Sequence, residues 1–450
     1  NVVYLLFYCL ALLLADGIWA ADGDAQPSVE IITPQSVRRQ ATPKAQDVNA
    51  GTPTAAPKPS DSMDYWENDD FVPFEGPFKD IGEFDWSLSK IVFAENKGNT
   101  ILSPFSVKLL MSLLFEASAA GTLTQQQLRL ATPTIVTHYQ SREFYKNIFA
   151  GLKKKSNDYT VHFGTRIYVD QFVTPRQRYA AILEKHYLTE LKQEDFTKPK
   201  ETTEAINSWV SNITNEHIKD LVKEDDVQNS VMLMLNAVYF RGLWRKAFNR
   251  TIQLPFHVSA DESKTTDFML ADGLYYFYES KELDAKILRI PYKGKQYAMT
   301  VILPNSKSGI QTFVRQIDTV LLHRIKWLMD EVECRVILPK FHFDMTSELK
   351  DALIKLGISQ IFTTEASLPS LARGQGVQNR LQVSNVIQKA GIIVDEKGST
   401  AYAASEVSLV NKFGDDEFVM FNANHPFLFT IEDETTGTIL FTGKVVDPTL

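Results

Sequence analysis

Glu396-Lys397-Gly398-Ser399-Thr400-Ala401-Tyr402-Ala403-Ala404-Ser405-Glu406-Val407-Ser408-Leu409-Val410-Asn411-Lys412-Phe413 is a run whose small residues keep largely to one parity. Ser399, Ala401, Ala403, Ser405 and Val407 alternate with Thr400, Tyr402, Ala404, Glu406 and Ser408. A strand turns successive side chains to opposite faces, so as a strand this run offers one small face and one mostly wetted face. That pattern suits insertion beside other strands. It does not suit a resident core strand, because residues this small bury little apolar area and do little to fix a position. A flexible Ala/Ser loop after Gly398 fits the same letters, and the segment alone leaves both readings open.

The chain around it has 450 residues, 44% of them hydrophobic, and a net charge of −8, enough to bury a large core. The acidic balance argues against nucleic-acid binding by bulk charge. Val2 to Ala15 form an almost unbroken apolar run, followed by Gly17-Ile18-Trp19-Ala20-Ala21. So short a run before small residues reads as a secretory signal over residues 1–20 rather than a membrane-spanning helix. Of the two cysteines, Cys9 lies inside that signal, which leaves Cys334 alone and no disulfide within one mature chain. The sequons at Asn212 and Asn249 agree with export and mark glycosylation sites.

Residues 21–77 are rich in Pro, Ala, Thr, Ser and Asp without helical or strand period, and read as a disordered acidic extension. Near its end Asp61, Asp64, Glu67, Asp69 and Asp70 surround Tyr65 and Trp66, a mix that suits either solvent or a basic surface. A single folded domain is expected over residues 78–450. Phe84, Leu88 and Ile91 recur at helical spacing. Asn99 to Ser106 reads as a short strand stopped by Pro104, leading to a helix over Val107–Ala119 ended by Gly121. Thr124 is the expected cap of the next helix. A helix over Arg142–Lys155 ends in Lys153, Lys154 and Lys155, which complement its dipole or, on a sharper reading, receive a polyanion.

Strand patterns follow at Tyr159–Val169, Val231–Phe240, Thr265–Leu270, Ala285–Pro291, Tyr297–Leu303, Val332–Leu338 and Gln382–Val394. Helical patterns fall at Thr202–Asn215, Ile310–Trp327 and Thr346–Leu356. Strands and helices without strict alternation give an α+β class.

Enzyme motifs fail. There is no His-Glu-x-x-His helix, no Gly-x-Ser-x-Gly elbow and no Cys-x-x-Cys pair. Gly437 to Lys444 looks like a phosphate loop, but Val445 stands where a Ser or Thr must hold magnesium, and Gly374-Gln375-Gly376 lacks a dinucleotide loop's third glycine. His162, His217, His257, His342 and His425 are scattered without partners at ligand spacing, so structural roles are expected. No metal, no cofactor and no enzymatic activity are expected.

Six blocks in order carry a likeness to a family. Asn99 to Ser106, Asn236 to Trp244 with Phe248, Leu338 to Phe341, Leu356-Gly357, His425 to Phe429 and Gly437 to Lys444 together resemble a serpin, the serine protease inhibitor fold, from about Ile81 to Leu450. The resemblance implies helices packed around a large central mixed β-sheet, smaller sheets and an exposed reactive loop. In that family the loop is cleaved by a protease, and its amino-terminal part then inserts into the central sheet. The hinge falls on Glu396, Gly398, Ser399, Thr400, Ala401, Ala403 and Ala404. Neither proline nor a large charge stands on the inward parity, where either would obstruct a strand.

The family's spacing from Gly398 lands on Lys412, the only basic residue between Ser399 and Asn422. The resemblance thus implies Lys412–Phe413 as the reactive bond, with Leu409, Val410, Asn411 and Gly414 as neighbouring subsites. Val410 and Phe413 are lesser candidates for the residue cleaved after. Asn411-Lys412-Phe413-Gly414 is also similar to the Asn-Arg-Phe-Gly activation site of insect prophenoloxidase, and serpins that restrain prophenoloxidase-activating and Toll-pathway proteases in haemolymph carry similar baits. Ser103, Ser106 and Asn236 match the family's polar cluster where the central sheet opens, with Gln388 at a position where histidine is frequent. The implied partner is an extracellular trypsin-like protease held covalently through Lys412 by a monomeric inhibitor. The rival reading is a non-inhibitory carrier, storage protein or chaperone of the same fold.

Overall fold

A computed structural model of the chain describes residues 81–135, 137–152, 156–228, 230–307, 309–373, 381–396 and 418–450. The expected signal and extension, the three lysines at 153–155, the glycine loop at 374–376 and the hinge and reactive loop from Gly398 to Gly414 lie outside the described residues.

Helix α1 (Ile81–Glu95) buries Phe84 and Leu88 as expected, but its third core residue is Val92, and Ile91 is only half-buried. Strand β1 (Thr100–Leu102) passes directly into helix α2 (Pro104–Ala117). Pro104 does more than stop the strand. It is the first helical residue, where its missing N–H is not needed, and the Ser103 hydroxyl caps the helix by accepting from the Ser106 N–H. Every residue of α2 is buried, including Lys108, whose Nζ lies 2.6 Å from Asp85 of α1. The helix ends at Ala117, before Gly121, which takes a left-handed turn at φ 73°. Helix α3 (Leu123–Leu128) is capped by Thr122 rather than Thr124; the Thr124 hydroxyl instead accepts from the Ser367 N–H. Helix α4 (His138–Leu152) starts earlier than expected, with its turn at Thr137 and Gln140 closed by reciprocal hydrogen bonds.

A central five-stranded sheet forms from β2 (Tyr159–Asp170), β4 (Glu190–Glu194), β5 (Met232–Gly242), β11 (Phe341–Glu348) and β13 (Asn385–Val394), in the order β11-β13-β5-β2-β4. Between β2 and β4 come a two-residue strand β3 (Thr174–Pro175), paired with β12 (Ala372–Arg373), and helix α5 (Gln177–Tyr187); helix α6 (Pro199–Ile213) follows β4. Both faces of the sheet are covered, which is why β5 reads as a nearly continuous apolar run. Met232, Met234, Val238 and Phe240 join the core around α2, while Leu233, Leu235, Ala237 and Tyr239 pack with Ile206 and Val210 of α6. Gly164 lets α6 lie close, since a Cβ there would meet Ile213 Cδ1 at 1.8 Å.

A second, nine-stranded sheet is built from β1, β6 (Arg250–His257), β7 (Ser263–Ser280), β8 (Ala285–Pro291), β9 (Tyr297–Pro304), β10 (Asp330–Pro339), β14 (Val419–Asn422), β15 (Phe427–Asp433) and β16 (Ile439–Val445). Gly437 to Lys444 is therefore a turn and a terminal strand, not a phosphate loop. The helix expected over Ile310–Trp327 is interrupted. It becomes α7 (Ile310–Gln316) and α8 (Thr319–Arg324), because Ile317 is extended at ψ 131° and Asp318 caps α8 through the N–H groups of Val320 and Leu321. The helix expected over Thr346–Leu356 is half strand, since β11 pairs with β13 as far as Glu348 and only Lys350–Lys355 is helical (α9). Cys334 is buried in β10, and burial pushes its thiol up to about 11.

Candidate functional site

The central sheet holds two parallel pairs, β2–β4 at its edge and the interior seam between β13 and β5. The two strands of the seam are in register from Asn385↔Leu233 to Ile392↔Phe240, while β11 and β2 flank them in antiparallel pairing. Gln388 and Asn236 lie directly opposite one another across this seam. The alternation of β5 and β13 turns both toward α2, whose first turn carries Ser103 and Ser106.

The four polar residues named from the sequence thus come together, and all are buried. The Gln388 amide serves both backbone groups of Ser103: the Ser103 N–H donates to Oε1 at 2.6 Å, and Nε2 donates to the Ser103 carbonyl at 3.0 Å. The same Nε2 lies 3.5 Å from Asn236 Oδ1. Ser103 and Ser106 hydroxyls are 2.9 Å apart, and Asn236 Nδ2 donates to Thr165 Oγ1 at 2.9 Å and to the Gly164 carbonyl at 3.1 Å. Polar groups this deep are costly unless paired, so the network holds α2, β13, β5 and β2 in one arrangement. Thr165 belongs to it and carries no local signal in the sequence; only its position opposite Asn236 in the β2–β5 register reveals it.

A second set of contacts holds the end of the seam where β13 runs out. Arg241 Nη2 lies 3.0 Å from Asp395 Oδ2, the Trp244 indole N–H donates to the Asp395 carbonyl at 2.8 Å, and Lys340 Nζ lies 2.9 Å from Glu396 Oε2. Trp244 is fixed by stacking on Tyr292 at 4.4 Å and 11°. Glu396, the residue expected to open the hinge, is held by the Lys340 ion pair just beyond the end of β13. Sequence reading assigned Arg241, Trp244, Lys340 and Asp395 no part in the site, because the partners are brought together only by the fold. Asn212 on the last turn of α6 and Asn249 before β6 are both exposed and lie apart from this network in the chain.

The histidines are less scattered than expected. His217 stacks on Tyr239 at 4.2 Å and lies 5.8 Å from His162, which is paired across from Tyr239; burial and the neighbouring His217 hold the His162 imidazole below its usual range. Among the described residues no group of His, Cys, Asp or Glu could hold a metal ion, and no helix is long and apolar enough to cross a membrane.

Comparison with known proteins decides the family. A family-wide profile for Serpin (serine protease inhibitor) matches residues 80–448. The chain belongs to the serpin family. This serpin is 38% identical over 384 residues to Serine protease inhibitor 2 of Anopheles gambiae, covering 84% of this chain and 93% of that one. It is 31% identical to the Antitrypsin of Bombyx mori over 367 residues, 79% of this chain and 90% of the silkworm protein. The crystal structure of Serpin48, described as a highly specific serpin of the insect Tenebrio molitor, superposes with a TM-score of 0.70 at 28% identity, covering 82% of this chain and 96% of that one. The relatives it matches are inhibitors of serine proteases.

Proposed function

We propose that this serpin is a secreted suicide-substrate inhibitor of trypsin-like serine proteases, with Lys412–Phe413 as the bond attacked and residues 21–77 as an acidic extension ahead of the inhibitory domain. The observation that carries the reading is the parallel β13–β5 seam, with the small-residue run of Ser399 to Val407 beginning just beyond the strand that forms its edge. A segment that leaves the end of β13 and turns back between the two strands runs antiparallel to both. One parallel ladder is then replaced by two antiparallel ladders, each bond contributing roughly 0.5–1.5 kcal/mol, so insertion is downhill by several kcal/mol or more. The uncut protein is held from it by the polar network that ties β13, β5 and β2 to the start of α2, which makes the intact state kinetically stable.

The chemistry follows the acyl-transfer template. The protease serine Oγ attacks the Lys412 carbonyl carbon, its histidine takes the serine proton and delivers it to the Phe413 nitrogen, and the peptide bond breaks to leave an ester on Lys412. A carboxylate in the protease specificity pocket recognises the Lys412 ammonium. Insertion of the cut loop carries the ester across the sheet and distorts the oxyanion hole that deacylation needs, so the ester persists.

The Asn411-Lys412-Phe413-Gly414 bait, read with the insect relatives, supports clip-domain proteases that activate prophenoloxidase and the Toll pathway as targets, and hence a role in melanization and innate immunity in haemolymph. Glycans at the exposed Asn212 and Asn249, a polyanion at Lys153 to Lys155 and a monomeric state belong to the same proposal. The test is to mix the purified protein with trypsin and look for a complex that survives boiling in denaturant. Lys412→Ala is expected to abolish that complex and Lys412→Arg to keep it, since both cations reach a carboxylate. Full complex formation by the alanine variant assigns the bond elsewhere.

A further inference from the structure

Away from the seam, α2, α4 and α5 converge with the Pro369–Ser370 turn around an open pocket of about 480 Å³. Its wall carries three arginines and one carboxylate. Glu116 is already satisfied: Arg142 grips both its oxygens, Nε at 2.9 Å and Nη2 at 2.7 Å, and the Tyr187 hydroxyl donates to it at 2.7 Å. That leaves Arg176 and Arg178. The Arg176 Nε is held by the Pro369 and Ala372 carbonyls at 2.9 and 3.2 Å, which aims the guanidinium while leaving its terminal nitrogens without a partner among the described residues. Arg178 is exposed and makes no hydrogen bond or ion pair among the described residues. Two guanidinium groups two residues apart in sequence thus line one cavity, neither of them in an ion pair among the described residues.

We infer that this pocket binds a phosphate monoester carried on a small ring. A planar guanidinium matches tetrahedral oxyanions through paired N–H donors, and two such cations fit a dianion better than a monoanion. The pocket is several times larger than a phosphate group, and its apolar side, Ile182 with the Pro369 ring, suits a flat apolar body beside the charged head. Tyr179, although it lines the pocket, has its hydroxyl spent on the Leu113 carbonyl at 2.8 Å and offers the ligand only its ring. The His138 imidazole at the rim, edge-on to Phe115 and 4.0 Å from Glu116, adds one more donor. The site is separate from the β5–β13 seam and does not rest on the inhibitory reading.

Isothermal titration of the full chain with phenyl phosphate, phenyl sulfate, inorganic phosphate and phenol tests the assignment. Phenyl phosphate is expected to bind at least about fivefold more tightly than either inorganic phosphate or phenyl sulfate, and phenol not at all. Arg178→Ala, which removes no internal contact, should weaken phenyl phosphate roughly tenfold while leaving the ligand-free melting midpoint unchanged, and Arg178→Lys should recover part of the loss. A ligand-dependent rise in melting temperature that vanishes in Arg178→Ala gives the same answer by linkage. Absence of binding at about 10 mM phenyl phosphate, or equal affinity in Arg178→Ala, overturns the site.

Discussion

Gln388 sits where both a donor and an acceptor are required, because it serves the N–H and the carbonyl of the same residue, Ser103. An amide does this at any pH. Gln388→Ala strands both groups in the core and should cost about 2–4 kcal/mol, with a lower melting point and faster loss of inhibitory activity on storage. Unchanged stability in that variant would show that the network does not hold the seam. Gln388→His gives a sharper expectation. A neutral imidazole can accept from the Ser103 N–H, but an imidazolium cannot, so this variant should lose stability as the pH falls through about 6.5 while the parent does not lose it through this position. Denaturant melts of the pair at pH 5 and pH 8 read the difference. The four polar residues were named through the family resemblance, whereas Thr165 and the Arg241, Trp244 and Lys340 clamp were not, since a threonine in a strand or a half-buried lysine has no local mark of its partner.

Helix α2 shows how an element can carry charge through a core. Lys108 is fully buried and paired with Asp85 of α1 at 2.6 Å. Breaking a buried ion pair from one side is costly, so Lys108→Met is expected to destabilise by about 3–5 kcal/mol. Pairing it with Asp85→Leu should restore much of that in equilibrium melts; a harmless single variant would contradict the pairing. Lys444 in β16 is the other buried lysine among the described residues. Its Nζ donates to the Phe93 carbonyl at 2.7 Å and to that of Asn96, tying the end of α1 to the sheet, and burial pulls its ammonium down to about 8. The folded value lies below the ordinary 10.5, so between these limits the unfolded chain binds more protons and the group's contribution to stability rises with pH. The stability of the parent relative to Lys444→Met should therefore grow by about 1–3 kcal/mol between pH 7.5 and pH 10, as read by denaturant titration; a flat difference would place the ammonium in its ordinary range. At this scale the long apolar strands and amphipathic helices were plain in the sequence. The failures share a cause. Asp318 splits one helical period by capping the next turn, and Phe341 to Glu348 becomes a strand because β13 offers it a ladder, which no window of local letters contains.

For the molecule as a whole, what the letters could not give is the order of the strands. The hinge segment has an insertable parity, yet only the topology shows that β13 and β5 are parallel neighbours with Gln388 facing Asn236 between them. That arrangement leaves a parallel pair flanked on both sides by antiparallel ladders, where one added strand restores local alternation. Replacing Ala401 by Arg should then convert the inhibitor into a substrate, because a buried guanidinium slows entry; undiminished covalent complex on a gel would contradict this. The most direct test is thermal. Protein cut within Ser405 to Lys412 by a protease outside the target class should fill the seam with its own strand and melt tens of degrees above the intact form, on the order of 20 °C or more. Equal midpoints for cut and intact protein, with the cut segment still open to a second protease, would mean that nothing enters between β13 and β5.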